Sequence, residues 1–236
     1  MSQIYNALRK RNQEPEFDSS PNKGTVEEER IFHLPPLLID ESPDFFKEIA
    51  SLSTNLFVLA KGNLSTIMLC GSGIGAGATM IAMNLASYIV RKEAIPTLLV
   101  EANIKRPTLY RYRNGYINDG LYELLAEQGP LNKYVLPTST PNLFIMTAGR
   151  ITSENMAFFK SSQIEYAISE CKNNYPLVIF DAASIEDGHG TLEFAKFVDS
   201  VTMVVRANSL TEDVRKAQRA LENVQAKFAG VIFNDH

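Results

Sequence analysis

A glycine-rich segment between an apolar strand pattern and a helical pattern constrains this chain most. It reads CGSGIGAGAT from Cys70 to Thr79. A run of branched apolar residues at 67–69 enters it, and apolar residues with helical spacing follow over 80–90. Strand, glycine loop and helix in this order let backbone N–H groups and a helix N-terminus surround one phosphate. The sequence therefore predicts a phosphate-binding type of loop at the edge of a sheet.

The loop keeps its backbone features but lacks its cation. Gly73, Gly75 and Gly77 are the candidate phosphate-binding positions, and Thr79 stands where a hydroxyl would bind Mg²⁺. The position before Thr79 normally carries the lysine of such loops, and here it is Ala78. The architecture of a nucleotide-handling protein is thus present without its main phosphate-binding charge.

The rest of the chain alternates strand and helix patterns. Continuous apolar runs predict strands at 65–70, 96–101, 143–147, 177–181, 200–205 and 229–233. Helical patterns occupy 78–92, 119–127, 154–158, 161–173, 190–197 and 211–227. A further helix should begin after Ser42 as cap with Pro43 in its first turn, and Thr211 should cap the last helix. The predicted fold class is α/β, a doubly wound and mostly parallel sheet with helices on both faces, like a P-loop NTPase.

Three segments are predicted along the chain. Residues 1–12 form an amphipathic helix with apolar Ile4 and Leu8 opposite a basic face. Residues 13–40 are predicted as a flexible linker, since 13–35 are rich in polar residues and proline, and 41–236 form the folded domain. The first helix is either a docking element or a frayed tail, and the sequence leaves both open.

Composition excludes several classes of protein. The 236 residues carry a net charge of −4, which does not favour nucleic acid or anionic lipid. No stretch reaches the length of a membrane-spanning helix, and no secretory leader is visible, so we expect a cytoplasmic protein. Cys70 and Cys171 lie in apolar patterns, which indicates buried free thiols rather than a disulfide.

Three motifs in order carry a resemblance to a known family. Residues 75–79 (GAGAT) align with Gly-Glu-Gly-Lys-Ser/Thr, and 97–107 (TLLVEANIKRP) align with a strand ending Asp-x-Asp-x-Arg-x-Pro. Residues 175–181 (YPLVIFD) align with an apolar Walker B strand ending in aspartate. On these motifs the chain resembles the cytoplasmic domain of bacterial tyrosine kinases of capsule and exopolysaccharide synthesis. That family is grouped with the septum-site and chromosome-partitioning P-loop ATPases.

The resemblance implies roles that this chain has partly lost. Glu101 replaces the family's catalytic aspartate, and Asn103 replaces the second, magnesium-associated acid. Asp181 remains as the Walker B acid, and Asn234 aligns with a purine-reading asparagine. The family's terminal tyrosine cluster is also missing, since no tyrosine follows Tyr175.

The family's oligomerisation helix carries Glu-x-x-Arg-x-x-Arg. The aligned positions here are Lys47, Ala50 and Ser53, which cannot form that ion-pair set.

These losses predict a pseudokinase that regulates or scaffolds polysaccharide synthesis and export. Glu101 and Asp181 are then vestigial catalytic residues, and no cofactor is expected. The alternative is an ATPase or tyrosine kinase that still binds ATP or ADP. Mg²⁺ would then bind at Thr79 and Asp181, and the nucleotide would bind at Gly73, Gly75, Gly77, Thr79 and Asn234. The implied partner is a chain-length regulator at the inner membrane or an active kinase of the same family. The oligomeric state stays open.

Overall fold

The fold is built around one seven-stranded sheet. The computed structural model describes residues 31–59, 64–109, 112, 119–150, 159–187 and 189–235. The strands are β1 (Thr66–Gly71), β2 (Thr97–Glu101), β3 (Leu136–Pro137), β4 (Leu143–Met146), β5 (Leu177–Ala182), β6 (Ser200–Arg206) and β7 (Phe228–Asn234). Their spatial order is β3-β4-β2-β5-β1-β6-β7, and only the β3–β4 pair is antiparallel.

Helices cover both faces of this sheet. They are α1 (Leu38–Glu41), α2 (Pro43–Leu59), α3 (Ala78–Tyr88), α4 (Leu121–Glu127), α5 (Ser161–Asn174), α6 (His189–Ala195) and α7 (Thr211–Asn223). One buried cluster joins α2 and α3 to the sheet, and the other joins α4 to α7 to the opposite face. We call these the α2–α3 face and the α4–α7 face. Apolar residues at successive positions of β1 and β5 are buried because each strand is covered on both sides.

The predicted fold class is confirmed, and all six predicted strands are present within two residues of their expected ends. Ser42 caps α2 as expected, since its Oγ accepts a hydrogen bond from the Phe45 N–H at 3.2 Å. The prediction for Thr211 is wrong. Thr211 is the first helical residue of α7, and Leu210 occupies the cap position without a side-chain hydrogen bond. The predicted helix at 154–158 lies outside the described residues.

The end of the predicted linker is packed onto the domain. Phe32 is fully buried, its N–H donates to the Pro137 carbonyl, and it accepts from the Ser139 N–H. Leu37 and Ile39 are buried as well. Residues 31–40 therefore belong to the folded domain, because apolar side chains among them enter its core. The predicted helix at 1–12 and the linker up to residue 30 lie outside the described residues.

An ionic cluster anchors the amino-terminal edge of the sheet. Asp199 accepts hydrogen bonds from the Ser65 and Thr66 N–H groups at 3.2 and 3.1 Å, and pairs with Lys172 at 2.8 Å. Burial opposes the charged form, but Lys172 and these donors outweigh it and hold the pKa of Asp199 below its usual value. The cluster fixes the start of β1 from the side opposite the glycine loop.

No helix within the described ranges has the length and apolar character needed to cross a bilayer. Cys70 and Cys171 are both buried and unpaired, as predicted, and burial raises the pKa of both thiols.

Candidate functional site

A cleft of about 350 Å³ opens where β1, β2 and β5 end. Ligand sites of parallel α/β sheets form at this edge, where loops from neighbouring strands converge. Three segments line it: the glycine loop and first turn of α3, the loop after β2, and the turn after β5. The lining residues are Gly71, Gly73, Ile74, Gly75, Ala76, Gly77, Ala78, Thr79, Met80, Asn103, Arg106, Thr108, Ala182, Ser184 and Asp187.

The glycine loop has the backbone of an anion-binding turn. Gly75 and Gly77 have φ of 74° and 93°, a region that side-chain-bearing residues rarely adopt. Gly77 is also pressed against Asn234, whose Nδ2 would collide with any added Cβ. The Asn234 amide donates to the Ala76 carbonyl at 2.9 Å. Asn234 thus joins the end of β7 to the loop.

Alanine side chains fill the space beneath the loop. Ala76 and Ala78 are 4% and 9% exposed, and both belong to the core cluster of the α2–α3 face. A lysine at position 78 would extend from the start of α3 into the cleft. Ala78 also lines the cleft, but its side chain ends at the methyl group, which leaves the loop without a cation of its own.

Asp181 is deeply buried near the loop. It is 1% exposed, and among the described residues neither carboxylate oxygen accepts a hydrogen bond. Burial raises the pKa of Asp181 to about 7. The Thr79 hydroxyl opposes that shift as a nearby donor, although its placement falls short of hydrogen-bond geometry. Of the candidate metal-binding residues, Thr79 lines the cleft and Asp181 lies beneath it.

Glu101 is committed to backbone groups. Its Oε1 accepts from the N–H groups of Thr108 and Leu109, the latter at 2.8 Å, and its Oε2 accepts from Ala148 N–H at 3.1 Å. Burial still raises the pKa of Glu101 above its usual value, because these bonds offset only part of the desolvation. A carboxylate held by three donors is poorly placed to accept a proton from a substrate hydroxyl. Glu101 therefore holds the loops after β2 and β4 together.

The loop after β2 is fastened to the turn after β5. The Asn103 side chain accepts from the Arg106 N–H at 3.2 Å. The Lys105 ammonium donates to the Asp187 carbonyl, and Arg106 pairs with the Asp187 carboxylate at 3.5 Å. Lys105 and Arg106 are thus engaged across the cleft. Ser184 also donates to Asp187, at 3.1 Å.

These residues fit a magnesium nucleotide in shape but not in charge. The glycine backbone suits a phosphate, yet Ala78 supplies no counter-charge and Asn103 is neutral. Asp181 alone satisfies the one or two carboxylates that Mg²⁺ usually takes together with phosphate oxygens, so the missing charges are those of the loop cation and the second acid. Within the described ranges no group of three histidine, cysteine or carboxylate side chains could hold a metal.

The structure brings the predicted site residues to one edge of the sheet. Gly73, Gly75, Gly77 and Thr79 line the cleft, and Asn234 contacts the loop. Sequence reasoning missed the role of Asp187 as the anchor of Lys105 and Arg106. Its only signal was its position soon after the Walker B strand.

Curated relatives share most of the domain at low identity. No protein-family model matches the chain. The tyrosine-protein kinase CpsD of Streptococcus pneumoniae is 24% identical over 190 residues, which cover 78% of this chain and 81% of that protein. The tyrosine-protein kinase wzc of Salmonella typhi is 26% identical over 79% of this chain, but the match covers only 26% of that longer protein.

Solved structures share the fold. The kinase domain of the Escherichia coli tyrosine kinase ETK has a TM-score of 0.76 at 19% identity, covering 90% of this chain and 84% of that domain. The septum site-determining protein MinD of Pyrococcus horikoshii, complexed with Mg-ADP, has a TM-score of 0.61 at 19% identity, covering 73% and 71%. The curated relatives described here are bacterial tyrosine kinases, the structural neighbours include both such a kinase domain and MinD, and the fold is P-loop NTPase-like.

Proposed function

We propose that this chain is a catalytically impaired pseudokinase that regulates or scaffolds bacterial capsule or exopolysaccharide biosynthesis and export. The observation that carries the proposal is Ala78, buried in the core at the position of the loop cation. Likeness to the tyrosine kinases supplies the biological setting.

The loss of charge weighs against phosphoryl transfer. Such transfer depends on positioning and on neutralising the phosphate oxygens, with little covalent chemistry by the protein. A charge-assisted hydrogen bond from the loop cation is worth about 1.5–3 kcal/mol in the bound state, and more once charge develops on the leaving oxygen. A second charged group is missing as well, because the neutral Asn103 stands where the resemblance implies an acid. Glu101 cannot readily act as a base, because three backbone N–H groups already hold its carboxylate.

The function would then rest on protein contacts at the cytoplasmic face of the inner membrane. The proposed partner is a polysaccharide chain-length regulator or an active kinase of the same type. α2 is the first described surface to test, because Val58 and Leu59 at its end are 68% and 62% exposed. Residues 1–12, as a predicted amphipathic helix, are the second.

Thermal denaturation tests the loss of nucleotide binding. We expect the melting temperature of the natural protein to be unchanged by millimolar Mg²⁺-ATP or Mg²⁺-ADP, and no phosphotransfer to a tyrosine peptide. Ala78→Lys is the matched variant, since it returns the cation to the loop and should restore ligand-dependent stabilisation. Phosphotransfer by the natural protein would contradict the proposal.

A second candidate is a protein that still binds nucleotide, as an ATPase or kinase with substitute residues. The positive φ of Gly75 and Gly77 favours it, because the anion-binding backbone is intact. This candidate predicts stabilisation of the natural protein, by about 2.7 kcal/mol at a ligand concentration one hundred times Kd. It also predicts that the stabilisation requires Mg²⁺ and is weakened by Asp181→Asn.

A further inference from the structure

The Asp181 side chain points towards the start of α3. Along β5, Leu177 and Ile179 contribute to the α2–α3 face, whereas the alternate residues contribute to the α4–α7 face. Since side chains alternate along a strand, Asp181 lies on the α2–α3 face with Leu177 and Ile179. Ala78 belongs to that same face. The carboxylate is therefore aimed at the turn that begins α3, under the glycine loop.

This carboxylate lacks a counter-charge among the described residues. Both its oxygens are buried without a hydrogen-bond donor. Its neighbour in register on β2 is Glu101, another acid, whose oxygens are occupied by backbone N–H groups. A buried carboxylate without a donor is costly, and a cation that hydrogen-bonds to it would recover much of that cost.

Two acidic and two basic side chains meet at the mouth of the cleft. The Glu186 carboxylate lies over the loop, with an oxygen 3.4 Å from where a Cβ on Gly73 would stand. Asp187 lines the cleft beside it. The nearby cations, Lys105 and Arg106, are drawn to the carbonyl and carboxylate of Asp187. Lys105 and Arg106 offset the charges of Glu186 and Asp187, so the uncompensated charge of the site is the buried carboxylate of Asp181.

We propose that this cleft receives a lysine or arginine side chain of a protein partner, whose cationic group pairs with Asp181 in place of the missing loop lysine. The inference rests on the proposed function in that it takes the ligand to be protein rather than nucleotide. Charge complementarity selects the occupant, because the buried acid without a partner favours a cation.

The walls of the cleft suit an alkyl chain that ends in such a group. Ala76, Ala78 and Ala182 offer small apolar contacts, and the Thr79 hydroxyl can accept a hydrogen bond from the ammonium or guanidinium. The volume of about 350 Å³ falls within the usual range for ligand pockets. A bare divalent metal is less suited, because it would find a single uncommitted carboxylate here.

A tethered ammonium tests the pairing directly. Ala78→Lys is compared with Ala78→Met, which adds similar bulk without charge, each with Asp181 intact and with Asp181→Asn. At about pH 8, above the pKa of Asp181, we expect the lysine variant to melt roughly 3 °C or more above the methionine variant. That difference should vanish when Asp181 is replaced by asparagine. Equal melting temperatures of the two variants with Asp181 intact would overturn the inference.

The natural chain provides a second readout that needs no variant at position 78. Millimolar n-butylammonium should raise its melting temperature more than an equal concentration of Na⁺, and Asp181→Asn should abolish the difference. Stabilisation by Mg²⁺ alone that depends on Asp181, with none by butylammonium, would overturn the inference and identify a metal site. The proposed function would survive that result. Phosphotransfer by the natural protein would instead refute the proposed function, whatever the outcome at Asp181.

Discussion

Replacing Glu101 by alanine should destabilise the protein severely, although the family resemblance implies a catalytic role for this position. The change strips the acceptor from three N–H groups, those of Thr108, Leu109 and Ala148. Leaving a buried donor unsatisfied costs about 1–3 kcal/mol each. Removing a buried carboxylate recovers part of this, because burial already raises the pKa of Glu101. The expected net loss is about 3–5 kcal/mol of unfolding free energy.

Urea denaturation followed by circular dichroism measures this loss. Glu101→Gln should fall between the natural protein and Glu101→Ala. The carbonyl oxygen of glutamine can still accept hydrogen bonds from the N–H groups on one side. Its NH₂ group, however, is a donor and cannot accept from the N–H group on the other side. Glu101→Asp should also destabilise, because a side chain one methylene shorter cannot span both loops. Glu48→Ala, on the exposed side of α2, is the control and should change stability by less than about 0.5 kcal/mol.

The reasoning would be refuted if Glu101→Ala cost less than about 1 kcal/mol, the loss typical of an average substitution. That result would mean that the loops after β2 and β4 are held by other contacts. It would also free Glu101 for the catalytic role that the family resemblance implies.

Two further predictions concern the loop and the opposite edge of the sheet. Gly77→Ala should lower the free energy of unfolding by about 2–4 kcal/mol, as measured by thermal denaturation, because the position has a positive φ and an added Cβ would collide with Asn234. Gly73→Ala is the control: its φ is ordinary, so the loss should be under about 1 kcal/mol. Because the pKa of Asp199 is lowered, its stabilisation is present above its unfolded value of about 3.9 and is lost as pH falls through the folded value. Lys172→Met should therefore make melting temperature less dependent on pH below about 4; an unchanged acid profile would contradict this.

The strands and the loop could be predicted because their signals are local. Continuous apolar runs such as 177–180 leave few alternatives to a strand buried on both faces, and four glycines in seven residues require a turn. The same reasoning placed Asp181 and Thr79 near each other, because parallel strands end at one edge.

Other features depend on contacts between distant segments. Phe32 stands in a short proline-containing apolar stretch without strand or helix periodicity, so the sequence does not show which surface of the domain it packs against. The role of Glu101 depends on where the backbone at 108 and 148 passes, and the resemblance pointed instead to chemistry. Asp199 and Lys172 likewise meet only once the fold brings β6 next to α5. The prediction of Thr211 as a cap was wrong because helix ends are specified weakly by single residues.

The position of β1 has a consequence for synthesis on the ribosome. β1 is flanked by β5 and β6, with Thr66 opposite Val178 and Ile67 opposite Ser200. Neither β5 nor β6 has been synthesised when β1 leaves the exit tunnel. The centre of the sheet can therefore form only after these later strands have been translated. Folds dominated by such long-range pairing form slowly and expose unpaired strands meanwhile. Nascent chains truncated before β6 should therefore be protease-sensitive and attractive to chaperones.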